Sequence, residues 1–214
     1  MAVDTSSAGK QNNGRIGNAS RAEGQVGQGV KLNGNNSCVS VKDSKDINLG
    51  THDERTISMW FKAEDTSSDE KQIIFEEGGR DRGLNMYIED DSLIFGGWSQ
   101  KGGWSEGSWI ETDQIESGEW HHVALVLDGD DTLQPNAMTA YLDGQVIGSE
   151  KGTQMYQHPD GIGIGNTNGS TRFADGTTGW QNSHGLTGTI DDVRIYNDAL
   201  TSNQVQQLST TGLG

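Results

Sequence analysis

The chain is predicted to be all-β, an antiparallel β-sandwich of the jelly-roll kind with a short C-terminal helix. Three observations carry this. Apolar residues alternate with polar ones in many short runs, Asp-Gly, Asn-Gly and similar pairs separate those runs, and helical spacing is confined to the end of the chain. With 214 residues, 31% of them hydrophobic, 31 Gly and 2 Pro, the chain is long enough for one well-buried core and too regular to be disordered. It contains neither a linker nor an internal repeat, so residues 1–214 are expected to form a single domain. No apolar run approaches the length of a membrane span.

Residues 1–28 are rich in Gly, Ser and Asn. They read either as a loose tail or, around Asp4 and Gly14-Arg15-Ile16, as an ordered first strand or loop. Residues Gly29 to Asn33 and Ser37 to Lys42 form short strands around Gly34-Asn35. Thr56 to Lys62 alternates strongly, with Ile57, Met59 and Phe61 on one face and Trp60 on the other, so something must cover Trp60. Gln72 to Glu76 is a strand, and Leu84 to Ile88 with Leu93 to Phe95 reads as a hairpin about Glu89-Asp90-Asp91-Ser92. The stretch from Gly96 to Trp109 is too glycine-rich and irregular to be core. Trp120 to Leu127 is the best central strand, closed by the acidic turn Asp128-Gly129-Asp130-Asp131, which reads as a plain turn or as an ion loop without its EF-hand continuation. Asp143-Gly144 joins two strands in a strong hairpin signal. The glycines of Gly161 to Gly165 imply close backbone approach. Thr201 to Gln204 can form a capping box for a helix of two turns, with Val205 and Leu208 on its apolar face.

The last long run, Gly188 to Asn197, organises the rest. Strict alternation puts Ile190, Asp192, Arg194 and Tyr196 on one face and Asp191, Val193 and Ile195 on the other. Two adjacent carboxylates on a β-branched strand are costly if buried unpaired. They are cheap if they hold a cation or face solvent, and both readings stay open. The formal charge of −16, from 31 acids and 15 bases, argues against nucleic acid as a partner and fits a cation-binding or salt-tolerant extracellular surface. Cys38, the sole cysteine, allows no internal disulfide and reads as a small core hydrophobe. Met1-Ala2-Val3-Asp4 carries no signal-peptide pattern; in a secreted protein, the export signal would have been removed or would lie on a larger parent chain.

Several of these pieces together resemble the laminin G-like, concanavalin A-like lectin/glucanase superfamily, in its bacterial jelly-roll branch. They are Val30-Lys31-Leu32-Asn33-Gly34 with the strand to Val41, Thr56 to Lys62, Trp120-His121-His122-Val123-Ala124, Tyr141-Leu142-Asp143-Gly144, and Gly188 to Asn197 with Ala199-Leu200. The resemblance covers nearly the whole chain, and the closing motif is its most specific part. It implies a carbohydrate-binding or adhesive module of a larger secreted or cell-surface bacterial protein. It also implies a structural calcium where the N-terminal segment meets the last strand, with Asp4, Asn12, Asn13, Asp191 and Asp192 as ligands. Such an ion takes six to eight hard oxygens, which carboxylates, amides and backbone carbonyls can supply.

Sugars are held by aromatic faces and convergent polar groups. Trp98, Trp104 and Trp109 in the glycine-rich stretch, Arg80 and Arg82 with the adjacent Asp81, and Arg172, Asp175 and Trp180 in a later loop are therefore the candidate ligand contacts. The bland alternative is that the tryptophans cap hydrophobic edges and the arginines pair with acids. No catalytic residues are assigned. Glucanases on this fold use Glu-x-Asp-x-Glu along one strand; here Glu76 and Glu77 are adjacent and point to opposite faces. The expected function is thus a calcium-stabilised, non-catalytic module with a polysaccharide or glycan as partner, monomeric as an isolated domain, without membrane insertion. A structural or protein-binding domain of a calcium-dependent adhesin, contacting a cell-surface protein, is the first alternative. A polysaccharide hydrolase or lyase is the second.

Overall fold

The structure, a computed structural model, describes residues 1–6 and 12–211. Its strands are β1 (Arg15–Gly17), β2 (Ser20–Glu23), β3 (Gln28–Asn33), β4 (Cys38–Val41), β5 (Glu54–Ala63), β6 (Gln72–Gly78), β7 (Arg82–Glu89) and β8 (Ser92–Ser99). They continue as β9 (Trp104–Thr112), β10 (His121–Asp128), β11 (Gln134–Leu142), β12 (Gln145–Gly152), β13 (Ile162–Ile164), β14 (Ser170–Arg172), β15 (Thr178–Trp180) and β16 (Thr187–Tyr196), followed by helix α1 (Ser202–Thr211). One seven-stranded sheet runs β1-β4-β13-β6-β7-β8-β9, and a second runs β12-β11-β10-β5-β16-β3-β2. A two-stranded ribbon, β14-β15, stands apart from both. The architecture is the antiparallel sandwich that the alternation requires.

The inner faces interlock as the period of two dictates. Ile57, Met59 and Phe61 of β5 and Val123, Leu125 and Leu127 of β10 meet Phe75, Leu84, Met86 and Phe95 from the opposite sheet in one apolar core. Hairpin chemistry sets the register: Asp143 and Gly144 have φ of 50° and 78°, and Asp90 and Asp91 have φ of 53° and 62°. This positive-φ pair matches the twist of the flanking strands. Inside the core lies one ion pair, Arg55 Nη1 to Glu77 Oε2 at 3.4 Å, with both side chains fully buried. It links the two sheets.

Each sheet's outer face is covered by a different element. Val205 of α1 packs on Ala124, Val126 and Tyr141. The helix begins with the expected capping box, Gln204 Oε1 accepting from Thr201 N at 2.9 Å. Trp60 is covered as anticipated, edge-on to His122 at 5.3 Å between ring centres. On the other side of the molecule, Phe173 packs against Ile73, Tyr87 and Ile94 and fastens the ribbon to the first sheet.

Three sequence expectations are corrected. The Gly96–Trp109 stretch is core: it forms the end of β8 and most of β9, with Trp98 0% and Trp104 1% exposed. Its glycines make room for indoles, since a Cβ on Gly96 would sit 2.1 Å from Trp109 and one on Gly97 2.4 Å from Trp104. Strict alternation fails in β16, where a bulge between Asp191 and Arg194 opposes β5. Asp192 takes a left-handed φ of 47°, so Ile190 and Ile195 both reach the core. Cys38 is half-buried beside the inward-facing Val39 rather than in the core, and burial raises its thiol pKa.

Candidate functional site

The outer face of the first sheet is built from one cross-strand row: Ser40, Gly163, Glu76, Asn85, Gly96 and Trp109 are successive register partners. Two glycines in that row leave space above the sheet. The segment after β13 fills it, through Asn168 N to Glu76 Oε1 at 2.7 Å and Asn85 Nδ2 to Thr171 Oγ1 at 3.0 Å. Glu76 is completely buried, and desolvation drives its pKa well above the carboxylate range despite the Asn168 N–H. Among the described residues, its Oε2 and Asn85 Oδ1 have no hydrogen-bond partner. Glu77 points the other way, into the core with Arg55, as adjacent strand residues must.

The ribbon turns one face down and one face out. Thr171 and Gly179 are register partners facing the sheet, and both are buried. Ser170, Trp180, Arg172 and Thr178 occupy the opposite face, with Ser170 paired to Trp180 and Arg172 to Thr178. Trp180 is 58% exposed. Arg172 donates from Nη1 to Ser105 O at 2.8 Å, which ties the ribbon to the start of β9. The turn is held by Asp175, which accepts from Thr177 N and Oγ1 and from Lys71 Nζ. Although partial burial opposes it, these bonds bring the Asp175 pKa down to about 2. The same Lys71, desolvated beneath the turn, is held above its usual pKa by hydrogen bonds to Glu89 and Asp175.

The candidate ligand residues are therefore divided. Trp180, Arg172 and Asp175 share the ribbon, and half-buried Trp109 lies below it, stacked on Trp98 at 5.9 Å. Trp98 and Trp104 do not join an open aromatic cleft. The Trp98 indole donates to Gly79 O and that of Trp104 to Ser108 Oγ, both in buried settings. Arg80 is exposed in the β6–β7 turn, whereas Arg82 donates to Gln157 O at 2.8 Å. Sequence reading passed over Asn85 and Phe173, which position the ribbon. Phe173 carried a signal, as an isolated aromatic within a polar loop.

At the other end of the sheet, Asp4, Asn12, Asp191 and Asp192 border one cavity of about 1100 Å³ between the sheets. Residues 1–6 and β16 line the same cavity. Asp4 accepts from Ser6 N and Asn12 N, each at 2.8 Å, and Asn13 Oδ1 accepts from Asp4 N. These contacts lower the Asp4 pKa, the Asn12 N–H foremost. Asp191 accepts from Val26 N at 2.7 Å and Asp192 N at 2.8 Å. Each oxygen of Asp4 and Asp191 thus keeps a lone pair suited to a hard cation, whereas Asp192 is engaged by Arg194 through both oxygens at 3.0 Å. Among the described residues, no three Asp, Glu, His or Cys side chains converge as a metal centre. A cation there would draw most of its oxygens from amides, backbone and water.

Two seven-stranded antiparallel sheets and their covering ribbon define a β-sandwich domain of the jelly-roll kind. A family model of the laminin G type, described as the concanavalin A-like lectin/glucanases superfamily, matches residues 33–206. The chain belongs to that superfamily. No curated protein sequence gives a significant match. Among solved structures, a heptameric SAP-like pentraxin from Limulus polyphemus is 23% identical with a TM-score of 0.53, over 77% of this chain and 73% of that one. The binding domain of Paraclostridial Mosquitocidal Protein 1 is 16% identical with a TM-score of 0.66, over 99% of this chain and 51% of that one. The ligand-binding domain of botulinum neurotoxin serotype D, solved in complex with N-acetylneuraminic acid, is 14% identical with a TM-score of 0.66, over 97% and 47%. The chain spans about half the length of these two toxin domains. At such identities the likeness is one of fold.

Proposed function

We propose that the chain is a non-catalytic carbohydrate-binding module of a larger secreted or cell-surface bacterial protein, and that it engages a polysaccharide or glycan through the outward face of the β14–β15 ribbon. The carrying observation is Trp180, a large apolar side chain left 58% exposed on a ribbon that is otherwise pinned down by Phe173, Thr171 and Asn85. An indole held out by a rigid support offers a flat face to sugar C–H groups at little entropic cost. Arg172, diagonal to it on the same face, adds a planar donor fork for hydroxyls or a carboxylate. The sugar bound by the neurotoxin domain of the same fold supports the ligand class. A glycan array probed with the intact chain is expected to show binding to a defined glycan set without product release. An array and affinity gels that remain blank with calcium present would overturn the reading.

We further propose that Ca²⁺ fastens the N-terminal segment to the last strand at the shared cavity. Asp4 and Asp191 would be its carboxylates, with Asn12, Asn13 and Asp192 beside them. Bound there, the ion would neutralise acids that the fold brings around one space and stabilise the folded state by mass action.

A further inference from the structure

A smaller cavity of about 460 Å³ lies where the start of β7 meets the loops around residues 51, 101 and 156–159, and its lining is Thr51, Arg82, Lys101, Tyr156, Gln157 and Pro159. We propose that it is an acidic-sugar subsite, taking the carboxylate of a uronic acid unit between Arg82 and Lys101.

The charge pattern is the first reason. The protein carries 31 acids against 15 bases, yet this lining holds two cations and no acid. Four cations elsewhere are held by close carboxylates: Lys71 by Glu89 and Asp175, Arg55 by Glu77, Arg194 by Asp192, Lys31 by Glu64. Among the described residues, Arg82 and Lys101 have no such partner. Arg82 spends Nη1 on the Gln157 carbonyl, and its buried Nε has no acceptor. Lys101 Nζ sits 5.4 Å from the centre of the Tyr156 ring. Two neighbouring cations on an acidic chain gain from a shared anion what their own surroundings withhold.

Shape and rigidity are the second reason. The volume accommodates a small ligand such as one sugar unit. Tyr156 Oη donates to Asp131 O at 2.6 Å, which fixes the ring. Gln100 Nε2 donates to Asp81 Oδ1 at 2.9 Å and holds the loop that carries Lys101. Arg82 offers a planar fork for a carboxylate, Lys101 a mobile point charge, and Tyr156 with Pro159 apolar walls for ring C–H groups. This inference rests on the glycan-binding reading and names a class of sugar for it, at a place separate from Trp180.

The test is amide chemical-shift titration of the ¹⁵N-labelled chain with glucuronate, glucose and sulfate in parallel. Glucuronate is expected to shift Thr51, Lys101, Tyr156 and Gln157, with glucose and sulfate each weaker by about tenfold or more. Lys101→Gln, at an exposed position, and Arg82→Gln are expected to weaken glucuronate by a similar factor, while Lys151→Gln, exposed and outside the lining, leaves it unchanged. If Arg82→Gln unfolds the chain, Lys101→Gln alone decides. Glucuronate without effect at these amides, or sulfate binding equally well, would overturn the inference while leaving the ribbon reading standing. A glycan that binds the ribbon with no preference for acidic units would do the same.

Discussion

His122 sits on β10 with its Nε2 hydrogen-bonded to Ser58 Oγ at 3.0 Å and only 1% of its surface exposed. Burial, outweighing the nearby Asp143 charge, brings its pKa from 6.5 down to about 4. Between those values the unfolded chain binds the extra proton and the folded chain does not, so stability rises with pH across that window. The full deficit, about 3 kcal/mol, is reached below the folded value. Glu76 works in the opposite sense. Burial raises its pKa, so stability falls as pH rises above the usual carboxylate value and through the folded one. Urea midpoints against pH are therefore expected to form a dome whose acid limb flattens in His122→Asn and whose alkaline limb flattens in Glu76→Gln. A wild-type profile flat from pH 4 to 8 would contradict both assignments.

The β14–β15 ribbon has little structure of its own to hold it. Two strands of three residues are marginal in water without a packed face, and Phe173 supplies that face. Phe173→Ala is expected to cost about 3 kcal/mol and to release the amides of residues 170–180 to hydrogen exchange while β5 and β10 stay protected. Uniform loss of protection would show that the ribbon is not a separate unit. The same scale shows what the sequence made legible. Alternation and the Asp-Gly and Asp-Asp turns placed β5, β7, β8, β10, β11 and α1, because period and turn chemistry are local. The Gly96–Trp109 segment was misread because its glycines answer to indoles across the sheet, a non-local cause. The bulge at Asp192 hid for a similar reason: a single left-handed residue reverses faces without altering composition. Of the candidate site, Trp180 and Arg172 could be nominated by type, but whether an aromatic faces solvent depends on the tertiary cover.

Across the whole molecule, the N-terminal segment, the last strand and both sheets border the cavity that Asp4 and Asp191 line. In a chain of charge −16, a divalent cation at that cavity would offset the charge of Asp4 and Asp191. Calcium at about a hundred times its dissociation constant is expected to add roughly 2.7 kcal/mol and to raise Tm by several degrees. Chelation would reverse the gain, and Asp4→Asn would diminish it. A Tm indifferent to calcium and to chelator in the wild-type chain would remove the ion from the account. The same experiment separates the two sites, since the ribbon and its tryptophan lie on the outer face of the first sheet and hold their geometry through Phe173 rather than through the N-terminal segment.

The ribbon's outward face as the glycan contact is tested most directly by calorimetric titration of an array-selected oligosaccharide into the wild-type chain and Trp180→Ala. Because the indole is exposed, the substitution is expected to leave Tm within a degree or so and to weaken binding by about tenfold or more. Equal affinity in the two proteins, at unchanged stability, would contradict the account.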